Sequence, residues 1–382
     1  SIVMTTKSMN YKPLKLGFIG GAHRSAVGYT HWCASQLDNR WQVTSGCFSR
    51  DLNRSVETGG VWGLEQNACY SDWQRYIDEK KREVDAMCVL TPTPDHVDIV
   101  CRLLENNIPV ICEKAMAASL SQSLKIKQAL EKHGGFLGVT FNYSGYPMVR
   151  VLKKMIDDGD LGKLIKMRIE MPSDGFIQPP EKMHPQPWRL QDGEIPTLLL
   201  DLGVHVHHLC GFLTGQTPAS VLGDFNNFSI FDNIVDDAHF WVEYKEGLKA
   251  DFWVSKTALG HRNGLKFTLY GDKASATWVQ EDPEHLHIAH SDSRRVIVDR
   301  GNCEHKEEIR ERFKPGHPSG FIEAFANLYN DLADCLTQFK ETKSFSSPYV
   351  FGWAHAHEGL TVLDAASKAN ESKQWVSLEA ER

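Results

Sequence analysis

Apolar and polar positions follow two different rhythms along this chain. Short apolar runs at Leu14 to Gly20, Gln42 to Phe48, Asp85 to Leu90, Ile108 to Cys112 and Phe136 to Phe141 are separated by stretches with helical spacing. Short apolar runs flanked by helical patterns read as strands buried on both faces, with the helices as crossovers. The first third therefore predicts a βαβ series forming a mostly parallel sheet. After about residue 145 the rhythm changes. Met148 to Asp158 has helical spacing and leads into Leu164 to Met171; later Ala238 to Tyr244 faces Leu248 to Ser255, and Leu265 to Tyr270 faces Ala274 to Val279. Lys245-Glu246-Gly247 and Gly271-Asp272-Lys273 separate the arms of these pairs, which predicts antiparallel hairpins. The helical runs Gly320 to Phe339 and His355 to Ala369 are expected to cover one face of the resulting sheet.

Composition narrows the picture. A length of 382 residues with 41% hydrophobic content suits two globular domains rather than one. A formal net charge of -7 argues against a nucleic-acid partner. The opening Ser1 to Lys12 is polar and reads as a loose arm, and no apolar stretch approaches the roughly 20 residues of a membrane helix. Nine cysteines, with no Cys-x-x-Cys pair and an odd total, predict core thiols in a reducing, cytoplasmic setting.

Chemistry enters at the end of the first strand. Leu16-Gly-Phe-Ile-Gly20-Gly21-Ala22-His-Arg-Ser25-Ala-Val-Gly28 follows a strand and opens a helix, as a dinucleotide loop must. Gly20 holds the first place of the G-x-G-x-x-G frame, Ala22 the second and Ser25 the third, so Gly20, Gly21, Ala22 and Ser25 are candidate pyrophosphate contacts. Where an acid would accept hydrogen bonds from an NAD ribose, the chain reads Phe48-Ser49-Arg50-Asp51-Leu-Asn-Arg54. Ser49, Arg50 and Arg54 suit a 2′-phosphate and favour NADP, whereas Asp51 would serve NAD. Lys114 closes the strand Val110-Ile-Cys-Glu113-Lys114 and points into the crevice where such sheets bind ligands. Asp201 and His205, one helical turn apart, present both side chains to one face.

These segments together resemble the Gfo/Idh/MocA oxidoreductases, sugar and cyclitol dehydrogenases with an N-terminal Rossmann domain and a C-terminal α/β domain. The likeness runs through Gly17-Phe-Ile-Gly20, Leu90-Thr91-Pro92-Thr-Pro-Asp-His96, Glu113-Lys114, Asn142-Tyr143, and Trp188-Arg189 ahead of Asp201-x-x-x-His205. Gly260-His261-Arg-Asn263-Gly and Gly316-His-Pro-x-Gly-Phe-Ile-Glu-Ala resemble a branch that includes dehydrogenases of inositols and anhydro sugars. The resemblance implies α/β architecture in three parts: an arm over 1–13, an NAD(P)-binding Rossmann domain over 14–145, and a substrate-binding and oligomerisation domain over 146–382 with a large, mostly antiparallel open sheet. It implies further cofactor contacts from Thr91, Pro92, His96, Glu113, Lys114 and Arg189, and a homodimer or homotetramer joined through the C-terminal sheet. Ala115 stands where the family has proline, which puts the cis bond of that turn in question.

The reaction implied is hydride transfer between nicotinamide and a secondary alcohol or ketone. It needs a base for the hydroxyl proton and a cation for the developing oxyanion, because the cofactor handles only the hydride. His205 suits the base, Lys114 the cation, and Asp201 orients the imidazole or binds a neighbouring hydroxyl. Tyr143, Trp188, Arg189, His208 and His261 are candidates to line a polyol or sugar pocket. Asp201, His205 and His208 have ligand types for an open metal site, but Lys114 would set a second cation beside it, so no metal is expected. His207, His285, His287 and His290 read as surface or strand-face packing. Two other functions fit the same fold: a cofactor-binding regulatory protein without chemistry, and redox-neutral glycoside cleavage with tightly held NAD.

Overall fold

A computed structural model describes residues 12–379, so all but the last two residues of the expected arm lie outside it. The chain divides into two compact units: Ser1–Ala117, Ser121–Gly145 and Gly320–Ala356 form the first, and Ala118–Leu120, Tyr146–Ser319 and His357–Arg382 the second.

In the first unit, strands β1 (Leu14–Gly20), β2 (Trp41–Cys47), β3 (Ala86–Leu90), β4 (Val110–Glu113) and β5 (Leu137–Thr140) pair in the order β2-β1-β3-β4-β5. Every pairing is parallel. All residues of β3, β4 and β5 are buried, which is why these segments read as unbroken apolar runs rather than alternating ones. The chain leaves β1 towards β2 on one side and pairs it with β3 on the other, so the carboxyl ends of β1 and β3 flank the point where strand order reverses and such sheets bind ligands. Helix α1 (Ala26–Gln36) opens directly behind β1.

One expected placement is overturned. The long helix Phe321–Thr342 belongs to the first unit, whereas the sequence set it against the antiparallel sheet of the second. Its stripe of Phe325, Leu328, Tyr329, Leu332 and Leu336 enters the same core as Leu16, Phe18 and Trp41. Each such buried side chain contributes about 1.5–3 kcal/mol of hydrophobic stabilisation. Polar contacts fix its register: Trp41 Nε1 donates to the Tyr329 carbonyl at 2.8 Å, and Arg40 pairs with Asp334 at 2.7 Å.

The second unit is built on nine strands in the order β13-β12-β11-β10-β6-β9-β8-β7-β14. They are β6 (Leu164–Pro172), β7 (Pro218–Asn226), β8 (Asp237–Tyr244), β9 (Lys249–Ser255), β10 (Lys266–Gly271), β11 (Ala274–Val279), β12 (Asp282–His290), β13 (Arg295–Val298) and β14 (Val376–Ser377). Both predicted hairpins form, and β6 with β9 is the parallel pair in an otherwise antiparallel sheet. Alternation decides the faces: Phe240, Val242, Phe252, Val254, Phe267 and Leu269 are buried on one side, while His239 stacks between Trp241 and Trp253 on the other. Helix Pro147–Asp157 packs near β12, and helix Val204–Thr214 near β6.

All nine cysteines are free thiols, and burial pushes the Cys210 thiol up to about 12. Among the described residues, no helix is long and apolar enough to cross a membrane.

Candidate functional site

Gly20 and Gly21 turn the chain at the end of β1 with φ of +87° and +76°, a left-handed backbone that favours glycine. A Cβ on Gly20 would lie 2.8 Å from the Leu90 carbonyl carbon and the Thr91 nitrogen, so the ends of β1 and β3 approach closely only because the side chain is missing. The third loop position works differently from the expectation. Ser25 is the N-cap of α1 and accepts from the Gly28 amide at 3.3 Å. The close packing that a third glycine would give is supplied by Gly28, where a Cβ would sit 2.0 Å from the Gly21 carbonyl oxygen. Beside this turn the hydroxyl of Thr91 is buried without a hydrogen-bond partner. A glycine turn, a helix N-terminus and an unsatisfied donor at the switch point fit a dinucleotide.

At the end of β2, Asp51 is committed to the backbone. It caps the helix Leu52–Val61, its carboxylate accepting from the amides of Asn53 at 2.9 Å and Arg54 at 3.3 Å. Arg50 and Arg54 are exposed, and Arg50 lies 3.7 Å from Asp95, which follows the Thr91-Pro92 turn.

Two expected cofactor contacts also make hydrogen bonds inside the protein. Glu113 turns its carboxylate inward, accepting from Thr140 Oγ1 at 2.7 Å and from His31 Nε2 at 2.6 Å. Burial alone would raise the Glu113 carboxyl, but the His31 bond and charge outweigh it and hold it below its ordinary value. Burial likewise opposes the His31 imidazolium, yet Cys88 and Glu113 raise it to about 10. The imidazolium then donates its second N–H to the Tyr329 hydroxyl at 2.5 Å, tying α1 to β4 and to the helix Phe321–Thr342. His96 is buried with Nδ1 2.7 Å from the Ala115 carbonyl and Nε2 2.8 Å from that of Thr91, so its ring joins two loops. Burial holds its pKa below the ordinary value. The Lys114–Ala115 peptide is cis although no proline follows. Lys114 is half-buried at the end of β4, and Tyr143 is buried with its ring tilted against Phe321 at 6.2 Å.

In the second unit a π-helical turn, Leu199–Gly203, runs into the α-helix Val204–Thr214. Asp201 and His205 therefore lie on either side of a change in winding, a feature common at functional sites. Asp201 Oδ2 accepts from the Arg189 guanidinium and, at 2.8 Å, from Lys256 Nζ. Arg189, expected on the cofactor, thus holds a carboxylate, and it lies 4.5 Å over the Trp188 ring. Burial lowers its pKa. Trp188 donates to Gln186 at 2.9 Å. His205 and His208 are buried, His208 stacking on Phe212 at 6.2 Å. His207 is not on the surface: it is buried, with Nε2 3.3 Å from Glu358. His261 sits exposed in the loop after β9.

Lys256 is the partner of Asp201 that sequence reasoning missed. Its signal was a lysine closing the alternating apolar run of β9, but nothing in that periodicity points to Asp201, 55 residues earlier.

Known proteins resemble this chain over most of its length. A family model described as an oxidoreductase family with an NAD-binding Rossmann fold matches residues 14–141, and one for the GFO/IDH/MocA C-terminal domain matches residues 149–277. The chain is 26% identical over 381 residues to an uncharacterized oxidoreductase, YfiI, of Bacillus subtilis (strain 168), covering 96% of this chain and 97% of the relative. It is 23% identical over 300 residues to a levoglucosan dehydrogenase of Pseudarthrobacter phenanthrenivorans, covering 72% of this chain and 74% of the relative. Among solved structures, an inositol dehydrogenase homolog from Azotobacter vinelandii, complexed with NADH and myo-inositol, superposes with a TM-score of 0.88 at 24% identity, over 96% of this chain and 98% of that one. The chain belongs to the Gfo/Idh/MocA family of oxidoreductases, with an NAD-binding Rossmann unit.

Proposed function

We propose that this oxidoreductase transfers a hydride between NAD(P) and a secondary carbinol of a sugar, anhydro sugar or cyclitol, with Lys114, Asp201 and His205 as its reacting set. The observation that carries the reading is Asp201, a carboxylate held by two cations on a π turn just ahead of a buried histidine. When bound, the nicotinamide supplies the hydride acceptor. The protein's residues do the rest: His205 takes the hydroxyl proton, Lys114 steadies the oxygen as charge develops, and Asp201 accepts a hydrogen bond with a fixed direction. Gly20, Gly21, Ala22, Ser25 and Thr91 would hold the dinucleotide, with the exposed Arg50 and Arg54 taking a 2′-phosphate while Asp51 is occupied as a helix cap. The named specificities of the levoglucosan and inositol enzymes support a polyol substrate.

The test is absorbance at the reduced-nicotinamide band with myo-inositol, scyllo-inositol, D-glucose, D-xylose and levoglucosan, each with NAD and NADP. Cofactor reduction with at least one of them is expected. Tight cofactor binding with no reduction across the panel would favour a regulatory protein, and glycoside cleavage without net reduction would favour the redox-neutral reaction.

A further inference from the structure

The Asp201 carboxylate receives two cations on a single oxygen. Lys256 Nζ stands 2.8 Å from Oδ2, and the Arg189 guanidinium approaches the same atom. The two side chains of the Lys256–Asp201 pair are only 11% and 12% exposed, so their interaction is far less screened than a surface ion pair. Lys256 also lies over the Phe176 ring at 4.8 Å, which fixes the approach of its ammonium. It reaches Asp201 from the end of β9, and Arg189 from a separate turn of chain, Pro187–Leu190. Two anchors from different elements, meeting at one oxygen, fix the rotation of the carboxylate about its last torsion, which a single contact would leave broad.

We infer that Lys256 is a positioning residue of the reaction centre. It fixes the Asp201 carboxylate so that this group meets the substrate hydroxyl or the His205 ring in one orientation. The inference rests on the reading of Asp201 and His205 as reacting groups. A carboxylate turned by one lost anchor still binds substrate but presents its acceptor off line, and misplacement on the scale of 1 Å costs up to about 100-fold in rate. Lys256→Met keeps the aliphatic stem over Phe176 and removes only the charge and donors, whereas Lys256→Arg restores a donor to Oδ2.

The experiment measures kcat, KM and NADH affinity of the full chain with myo-inositol, or with levoglucosan if the wild type turns that over faster. Its variants are Lys256→Met, Lys256→Gln, Lys256→Arg, Asp201→Asn, the double variant Lys256→Met/Asp201→Asn, and His205→Asn. Lys256→Met and Lys256→Gln should lose roughly 10–100-fold in kcat/KM, mostly in kcat, with NADH affinity and melting temperature little changed. Lys256→Arg should recover most of that loss. In the Asp201→Asn background the Lys256→Met penalty should shrink to less than about threefold, because a residue acting through Asp201 has nothing left to position. An undiminished penalty in that background, or none in the wild type, overturns the inference. His205→Asn separates the two levels: if it stays active the reading of the reacting set fails, whereas an inactive His205→Asn beside an unaffected Lys256→Met sinks only the role of Lys256.

Discussion

Two charged centres of this protein use similar groups to opposite ends. In the first unit, His31 and Glu113 are buried, and Thr140 and Tyr329 add to their hydrogen bonds. In the second, Asp201 faces two cations on a π turn, and Arg189 keeps 29% of its side chain exposed. The first centre is charge-balanced and closed, so its energy goes into joining a strand to two helices. The second sets a carboxylate between two cations, with the partly exposed Arg189 guanidinium as one of them.

The contrast can be broken most sharply at the open centre. His205→Asn and Lys114→Met should each lower turnover by ~10²–10⁴-fold while NADH affinity, followed by fluorescence titration, stays near that of the wild type. Wild-type turnover should rise with pH through one ionisation that disappears in His205→Asn, because only neutral imidazole accepts the proton.

At the closed centre the loss should appear in stability. Glu113→Gln leaves the buried His31 imidazolium without its counter-charge and is expected to cost about 3–5 kcal/mol in urea unfolding at neutral pH. Because the folded value of His31 is raised from 6.5 to about 10, its contribution is complete below 6.5 and is lost as pH rises towards 10. Glu113 is lowered from 4.5, so its contribution is present above 4.5 and is lost as pH falls through its folded value. The wild-type urea midpoint should therefore decline between pH 7 and 10, and Glu113→Gln should flatten that decline.

Smaller effects sharpen the cofactor side. Arg54→Ala should weaken NADP by roughly 10–150-fold and leave NAD nearly unchanged, since a phosphate contact is worth on the order of 1.5–3 kcal/mol. A strong NAD preference that Arg54→Ala leaves untouched would remove the 2′-phosphate reading. Asp51→Ala should cost about 1 kcal/mol through loss of the helix cap, with no change in the ratio of the two cofactor affinities.

How much of this was legible in the sequence depended on whether a residue's role is local. Strands such as Met87-Cys88-Val89 are buried on both faces and declared themselves as apolar runs. The glycine turn was legible because φ near +80° leaves few choices of residue. Phe321–Thr342 was legible as a helix, but its apolar stripe reveals only that it is buried, not that Trp41 and Leu16 are its partners. The same limit applies to single side chains. Glu113 sits in a motif that implied a ligand contact, yet His31, 82 residues away, claims it, and Lys256 looked like an ordinary strand end until the fold carried it to Asp201.

The recruitment of Phe321–Thr342 into the first unit also shapes the order of biosynthesis. A ribosome releases all five parallel strands by Thr140, but the segment Gly320–Ala356 that completes their core follows some two hundred residues later. At about 5–20 residues per second, that interval is roughly 10–40 s. During it the nascent first unit exposes the face of Trp41 and Phe136 that the helix will later cover, the interval in which a chaperone that shields apolar surface would have most to do.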